Sequence, residues 1–488
     1  MNDGLRERYE ETPYRQGAFP VTHPARTGAI ARIFGLAPAP PDRCRVLELG
    51  CGEANNFLPL AERFPRSRFT GVDFSAAEIA TAETARAAAA LDHVELICAD
   101  FRDYEPEPAA FDYIIVHGIY SWVPDDVKAR LLALCARALA PSGVALVSYN
   151  TYPAWKTRGM LRELLLREIA GEITAAARLA RAEKYLRELQ QGLADRKDAY
   201  ALLLLQEIEG RLKKDRIVIY HDELAAINDP CWFHEFAERA AAHRLRYLGD
   251  ARLASMFAQN LTPASRASAA QYSSDQVRME QHLDILRNRA FRSTLLVHEG
   301  LTIRPTPDPE AMRECLVQTT PRLSSAGVDL APGVSGRFEG GKEFTVQSDK
   351  PLIKAAYLVL SRTWPRRVPY AELLAAAAQL MSAAGLAAPT PEDEDGVLRT
   401  LLEAFIRGLL DAMLAGETGG EWSKSAPAPA ISALTRHYAA NELPLANFWH
   451  ELVNVPAADR EWLARWQGAL SVDDHARRDR LSKLGLLW

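Results

Sequence analysis

An α/β fold, with a doubly wound, Rossmann-like parallel sheet followed by a smaller α+β unit, is predicted by three observations. Apolar runs over residues 44–49, 68–72, 94–98, 113–117 and 144–149 alternate with helical patterns over 57–64, 76–90 and 125–140. Continuous apolar strands separated by helices indicate a parallel sheet covered on both faces. The first run breaks abruptly into Gly50-Cys51-Gly52. Every run also ends in polar or distinctive residues, where open α/β sheets place their ligands.

Bulk properties narrow the classes. At 488 residues the chain exceeds one hydrophobic core, and its length suggests roughly three domains. A content of 48% hydrophobic and 25% charged residues is that of a globular protein. The formal net charge of −5 argues against a nucleic-acid partner, which would want a basic excess. No apolar run reaches the roughly 18 residues of a membrane span. The opening Met1-Asn2-Asp3-Gly4 does not read as a signal peptide, so a cytoplasmic location is expected. Cys44, Cys51, Cys98, Cys135, Cys231 and Cys315 form no C-x-x-C pair, which predicts reduced thiols and no metal site.

The elements follow in chain order. Residues 9–24 are dense in prolines and aromatics, which holds them extended. They read either as a strap packed on the core or as a flap, with Tyr14 and His23 facing a reaction chamber. A helix over 25–36 stops at Pro38-Ala39-Pro40-Pro41. Then comes Arg45-Val46-Leu47-Glu48-Leu49-Gly50-Cys51-Gly52-Glu53-Ala54-Asn55, a strand, glycine turn and helix start. Glycines there permit positive φ and close approach, and a helix N-terminus offers free N–H groups to an anion.

Asp73 follows the second strand about 20 residues on, the spacing at which a carboxylate takes ribose hydroxyls. The third glycine of a dinucleotide loop is missing, because Asn55 and Asn56 occupy that region. Glu48, inside the first strand, would repel a pyrophosphate but welcome a cationic amino-acid ligand. A plain glycine turn joining strand to helix is the bland alternative. The E-L-G-C-G string with a strand-terminal Asp resembles class I S-adenosylmethionine-dependent methyltransferases more than NAD enzymes. The expected cofactor contacts are Glu48, Gly50, Cys51 and Gly52 for the amino-acid end and Asp73 for the ribose, with Asn55, Phe74 and Ser75 also expected to bind the cofactor. Asp100 and Phe101 would hold the adenine, and His117 and Gly118 form the next strand-end loop.

Beyond the fifth strand, residues 157–223 are long and helical with mixed charge, which predicts two or three inserted helices. The sheet resumes with a helix over 233–242, a strand over 245–249 and a last strand over 292–297. Arg304-Pro305-Thr306-Pro307-Asp308-Pro309 reads as a linker that separates the next unit from the cofactor pocket. A hairpin over 336–346 and helices over 352–363, 370–383 and 395–414 follow, with a loop over 419–429, a winged-helix order. That third helix and its lead-in carry Glu392, Asp393, Glu394, Asp395, Glu403 and Asp411 against Arg399 and Arg407, so DNA binding is not expected. Trp449, Trp462, Trp466 and Trp488 predict a packed C-terminal unit. The resulting division is 1–43 (flap and helix), 44–156 (cofactor-binding core) and 157–230 (helical insertion for a cap or dimer contact). It continues with 231–303 (completion of the sheet and regulatory region), 311–430 (winged-helix-like unit) and 431–488 (helical unit).

Several strings are specific together: Thr22-His23-Pro24, His117-Gly118-Ile119-Tyr120-Ser121-Trp122-Val123-Pro124 and Ser148-Tyr149-Asn150-Thr151-Tyr152-Pro153-Ala154-Trp155. Phe233-His234-Glu235-Phe236 and Leu286-Arg287-Asn288-Arg289-Ala290-Phe291-Arg292 join them. Over nearly its whole length the chain resembles bacterial class I methyltransferases with a methyltransferase regulatory domain, best described as rickettsial outer-membrane-protein lysine methyltransferases. The resemblance implies a Rossmann-like S-adenosylmethionine domain, a dimerising helical element and a winged-helix C-terminal domain. It also implies an open cavity for a protein or peptide with accessible lysines. A small-molecule or peptide-tailoring methyltransferase and a non-catalytic cofactor-binding regulator are the rival readings.

A lysine amine has a free pKa of about 10.4 and must lose its proton through desolvation or nearby acceptors. Tyr14, His23, Tyr120, Asn150 and Tyr152 are the candidates. His117 reads equally as a base or as a hydrogen-bonded strand-end histidine. Trp122 and Trp155 would wall an amine channel, although Tyr120 and Trp122 could equally plug the adenine pocket.

Overall fold

The computed structural model describes residues 17–325, 327–340, 344–416, 431–447, 449–466 and 475–486. Tyr14, Trp488 and the loop expected over 419–429 lie outside them. The first helix, α1 (Pro24–Ile33), leads into β1 (Arg45–Leu49), α2 (Leu58–Arg63), β2 (Arg68–Asp73), α3 (Ala76–Ala88) and β3 (Val94–Cys98). Then come β4 (Phe111–Val116), α4 (Asp125–Ala138) and β5 (Leu139–Asn150). After an excursion the chain returns through α8 (Phe233–Ala242), β6 (Leu245–Asp250) and β7 (Phe291–His298). The seven strands take the order β3-β2-β1-β4-β5-β7-β6, with β1 to β5 parallel and β7 antiparallel to both neighbours.

Alternation along each strand builds two cores, one on each face. Val46, Phe69, Tyr113, Ile115, Val144 and Leu146 face one, with α1, α2 and α3. Leu47, Leu49, Val72, Ile114, Val116 and Val147 face the other, with α4 and Phe236 of α8. This is the period-two reading of a pleated strand. Because β1 to β5 run the same way, their C-terminal ends share one edge of the sheet, which is where ligands of such folds gather.

The excursion holds α5 (Ala154–Glu168), α6 (Ala175–Leu193) and α7 (Ala199–Leu212), packed around a separate small core that includes Leu161, Leu165, Leu186 and Ile208. Two further helices, α9 (Pro263–Ala270) and α10 (Gln276–Arg287), precede β7 and were not expected. Buried Glu280 and Asp284 interrupt the apolar stripe of α10, so its pattern reads as polar.

Past the sheet come β8 (Cys315–Thr319), β9 (Gly336–Gly340), β10 (Phe344–Ser348), α11 (Pro351–Thr363), β11 (Val368–Pro369) and α12 (Tyr370–Ala383). Next are α13 (Pro391–Ile406), β12 (Leu410–Leu414), α14 (Ala433–Ala440), α15 (Ala457–Arg465) and α16 (His475–Lys483). The third helix ends at Ile406 instead of continuing to 414. Gly408 at φ +72° breaks it, and β12 then pairs with β8.

The linker does not hold the following unit apart. Its Arg304 and Asp308 N–H groups donate to the Phe34 and Ile33 carbonyls at the end of α1. Asp411 of β12 pairs with both Arg26 of α1 and Arg367. Residues from α11 to α16 belong to the same continuous core as α1, α2 and α3.

Candidate active site

The first strand and its turn form the best-defined part of the site. Gly50 and Gly52 take φ of +78° and +53°, which an L side chain rarely adopts. The Gly50 and Cys51 N–H groups both donate to the Val72 carbonyl, which ties the turn to β2. Asp73, at the end of β2, accepts from Gly52 N–H at 3.0 Å and from Ser75 N–H at 2.9 Å. Ser75 is the N-cap of α3, its hydroxyl accepting from Glu78 N–H, and Phe74 lies between them half-buried. Burial raises the pKa of Asp73, opposed by these N–H bonds.

Glu48 is buried beside this turn. Its Oε1 accepts from Asn56 Nδ2 at 2.8 Å, while Oε2 has no hydrogen-bond partner. Burial, with a further push from Asp73, raises its pKa to about 8. Cys51 is a buried thiol facing the β2 backbone at Gly71. Asn55 bonds Glu53 through Nδ2, and its buried Oδ1 has no partner.

The next strand ends bring the other expected residues to the same edge. Asp100 holds Arg102 through its backbone N–H and guanidinium. Burial is the largest influence on Asp100 and opposes ionisation, but the Arg102 contacts help carry its pKa below the usual range. Phe101 is buried, its ring 3.8 Å from where a Cβ on Gly50 would lie. Gly118, at φ +75°, donates to Ser148 Oγ. His117 packs its ring on Phe19 at 4.4 Å, and its Nδ1 is buried without a partner. Burial and the nearby Arg252 lower its pKa to about 4, so the imidazole is neutral at pH 7.

The amine-side candidates divide. Asn150 closes β5, donating through Nδ2 to Asn228 Oδ1 at 2.9 Å. Tyr152 is half-buried, tilted against Trp232 at 5.2 Å, with the Lys156 ammonium 3.9 Å from its ring centroid. Trp122 is half-buried in the turn after β4, and Trp155 is buried with its indole N–H unpaired. Tyr120 is instead a core side chain, packed on Tyr149 and Phe236, and burial pushes its pKa up to about 12. His23 is fully buried at the start of α1. Its Nδ1 accepts from Ala25 N–H as the cap of α1, and its ring meets Phe64 and His450 edge-on. Burial lowers its pKa well below the ordinary value. The described part of the leader is therefore packed as a strap.

Two residues escaped the sequence reading as contributors to the loop. Asn56 bridges to Glu48, and His450, 394 residues further on, bonds Asn56. Asn56 had a local signal, standing where a dinucleotide loop keeps glycine, but His450 had none. Among the described residues, no group of three or more His, Cys, Asp or Glu could hold a metal ion, and no helix is long and apolar enough to cross a membrane.

With this geometry in hand, residues 46–143 match the methyltransferase domain family, and residues 215–298 match the predicted methyltransferase regulatory domain. The chain is 32% identical over 232 residues to the uncharacterized protein RP028 of Rickettsia prowazekii, covering 48% of this chain and 93% of that one. It is 30% identical over 358 residues to RP789 of the same organism, covering 72% of this chain but only 65% of its relative. The structure of PKMT2 from Rickettsia typhi in complex with AdoHcy is similar at a TM-score of 0.82 and 26% identity. That likeness covers 96% of this chain and 91% of the other.

Proposed function

Since the chain belongs to the class I S-adenosylmethionine-dependent methyltransferases that carry a methyltransferase regulatory domain, we propose that it methylates lysine side-chain amines of a protein substrate. S-adenosylmethionine is the cofactor, and the residues present suit it. Glu48 Oε2 is a buried acceptor with no partner, the kind of group an ammonium satisfies. A Cβ on Gly50 would come within 2.3 Å of Ile119 Cδ1, so only glycine leaves the turn its course. On this reading Glu48 holds the cofactor's amino group and the 50–52 turn its carboxylate. Asp73, whose oxygens each keep a second lone pair, takes the ribose, and Asp100 with Phe101 the adenine. When bound, S-adenosylmethionine supplies a methyl group activated on a sulfonium centre.

The observation that carries the lysine reading is Lys156. Its ammonium rests on the Tyr152 ring beside Trp232, just past the C-terminal end of β5. Aromatic faces attract cations, so this surface suits an incoming lysine. The whole-chain likeness to Rickettsia typhi PKMT2 supports the same reading. His117, with its pKa near 4, is a weak base. Burial raises the pKa of Tyr152. We therefore assign loss of the amine proton to desolvation at Tyr152 and Asn150 rather than to a strong general base.

We further propose a cytoplasmic homodimer, for which the exposed Tyr200, Leu202 and Leu203 of α7 offer an apolar face. The winged-helix-like region over 311–430 would serve substrate docking or regulation and bind no DNA. Incubation with labelled cofactor and whole-cell lysate, followed by mass spectrometry, tests the reaction. A labelled lysine in a protein is expected, whereas label only in a small metabolite would overturn the protein substrate. Light scattering at micromolar concentration should give the dimer mass, and a monomer mass would end that claim.

A further inference from the structure

Asn56 does more in the cofactor loop than its position suggests. Its Nδ2 donates to Glu48 Oε1, and its Oδ1 accepts from Phe19 N–H at 2.9 Å. The same Oδ1 lies 3.1 Å from Thr22 Oγ1 and 3.1 Å from His450 Nε2. Thr22 shares its one proton between Asn56 Oδ1 and the Phe19 carbonyl. Asn56, Glu48, Thr22 and His450 are all buried. The donors thus come from the strap before α1 and from a segment close to the far end of the chain.

An amide whose oxygen is surrounded by donors must turn its NH2 the other way. Here the other way is Glu48. His450 takes part only as the tautomer with its proton on Nε2. Burial lowers its pKa to about 3, so the ring is neutral and one tautomer can be held. With one Glu48 oxygen committed to Asn56, the direction of the remaining oxygen is fixed by the same amide.

We infer that His450 and Asn56 are positioning residues for the amino group of the cofactor. The C-terminal segment holds the Asn56 amide, the amide holds Glu48, and Glu48 presents Oε2 to the ammonium. The inference rests on the cofactor placement proposed above. It makes seating of His450 a condition for full cofactor affinity.

Calorimetry with two ligands tests this: S-adenosylhomocysteine, which carries the amino group, and 5′-methylthioadenosine, which lacks it. Glu48→Gln checks the placement and should weaken the first about tenfold or more while sparing the second. His450→Phe fills similar space without the donor. It should weaken S-adenosylhomocysteine about five- to tenfold and leave methylthioadenosine within about twofold. His450→Gln, whose amide N–H replaces Nε2–H, should restore most of the loss. If Glu48→Gln discriminates between the ligands but His450→Phe does not, the inference fails and the placement stands. A parallel loss for both ligands in His450→Phe has the same meaning. If Glu48→Gln shows no selectivity, the placement fails and takes the inference with it. Should His450→Phe not fold, Thr22→Val removes another donor at nearly constant volume. A selective loss of about twofold then supports the inference, and equal binding overturns it.

Discussion

Glu48 is a carboxyl group in a place that disfavours its charge, and that fixes how cofactor binding must depend on pH. Burial first, then Asp73, raise its pKa from the ordinary 4.5 to about 8, against the Asn56 bond. The folded chain therefore holds a proton that the unfolded chain has released, and Glu48's contribution to stability falls as pH rises from about 4.5 to about 8. An ammonium ligand reverses the preference and expels the proton. Below pH 8 the affinity for S-adenosylhomocysteine should rise with pH, at most about tenfold per unit. At higher pH the ligand's own α-amino group deprotonates and affinity falls again. Calorimetry from pH 6 to 9 should show a maximum within about one unit of pH 8 that Glu48→Gln removes. A flat profile would show that Glu48 does not meet the ammonium. Glu48, Gly50 and Asp73 were legible in the sequence because strand, turn and carboxylate follow one another within one βα unit. His23 and Tyr120 were not, since the partners that bury their rings, Phe64 and His450 for one and Tyr149 and Phe236 for the other, are remote in sequence.

At the scale of elements, the region matching the regulatory domain is fastened by charge. Arg292 of β7 is fully buried, bonded to Asp284 at 2.8 Å and Glu280 at 3.0 Å on α10, with its guanidinium 3.8 Å from the Phe233 ring centroid of α8. Arg289 reaches Asp250 at the end of β6, so one helix and two strands share one ionic cluster, on which α8 packs Phe233. Asn288, at φ +47°, ends α10 in the left-handed conformation and sets up the turn into β7. Arg292→Met would leave buried Glu280 without its paired arginine and Asp284 with only Arg289 at 3.5 Å, and should cost about 3–5 kcal/mol in urea unfolding. A loss under about 1 kcal/mol would show that the cluster does not hold the region together. The L-R-N-R-A-F-R string marked this place in the sequence, but not its partners. Those stand on α10, whose buried acids hid its periodicity. The same limit explains β12: the run after Gly408 continues the helical apolar spacing, and only pairing with β8 makes it a strand.

For the whole molecule, the run of strands and helices that builds the sheet and the helical insertion were legible, because βα alternation and its interruption are local patterns. The relation between the sheet and the C-terminal units was not. A proline-rich linker reads as separation, yet its backbone is bonded to α1. Glu62 of α2 accepts from Leu434 N–H, and Arg26 and Arg367 share Asp411. Removing the chain from Pro309 onward should therefore expose apolar surface and weaken S-adenosylhomocysteine binding along with methylation. Circular dichroism and calorimetry on the truncated protein check this. A well-folded fragment with full cofactor affinity would restore the view of an independent module.

The sheet closes in an order that the chain cannot follow during synthesis. The outer edge of β5 pairs with β7, which is made about 140 residues later, after the insertion, α8, β6, α9 and α10. At ordinary translation rates that edge waits roughly 7–30 s for its partner. A nascent chain with β1 to β5 made therefore carries an open row of backbone groups, the kind of template that recruits other chains. The insertion emerges at this moment with a small core of its own. Its helices emerge before β7 does, and they can fold on that core while the edge still waits.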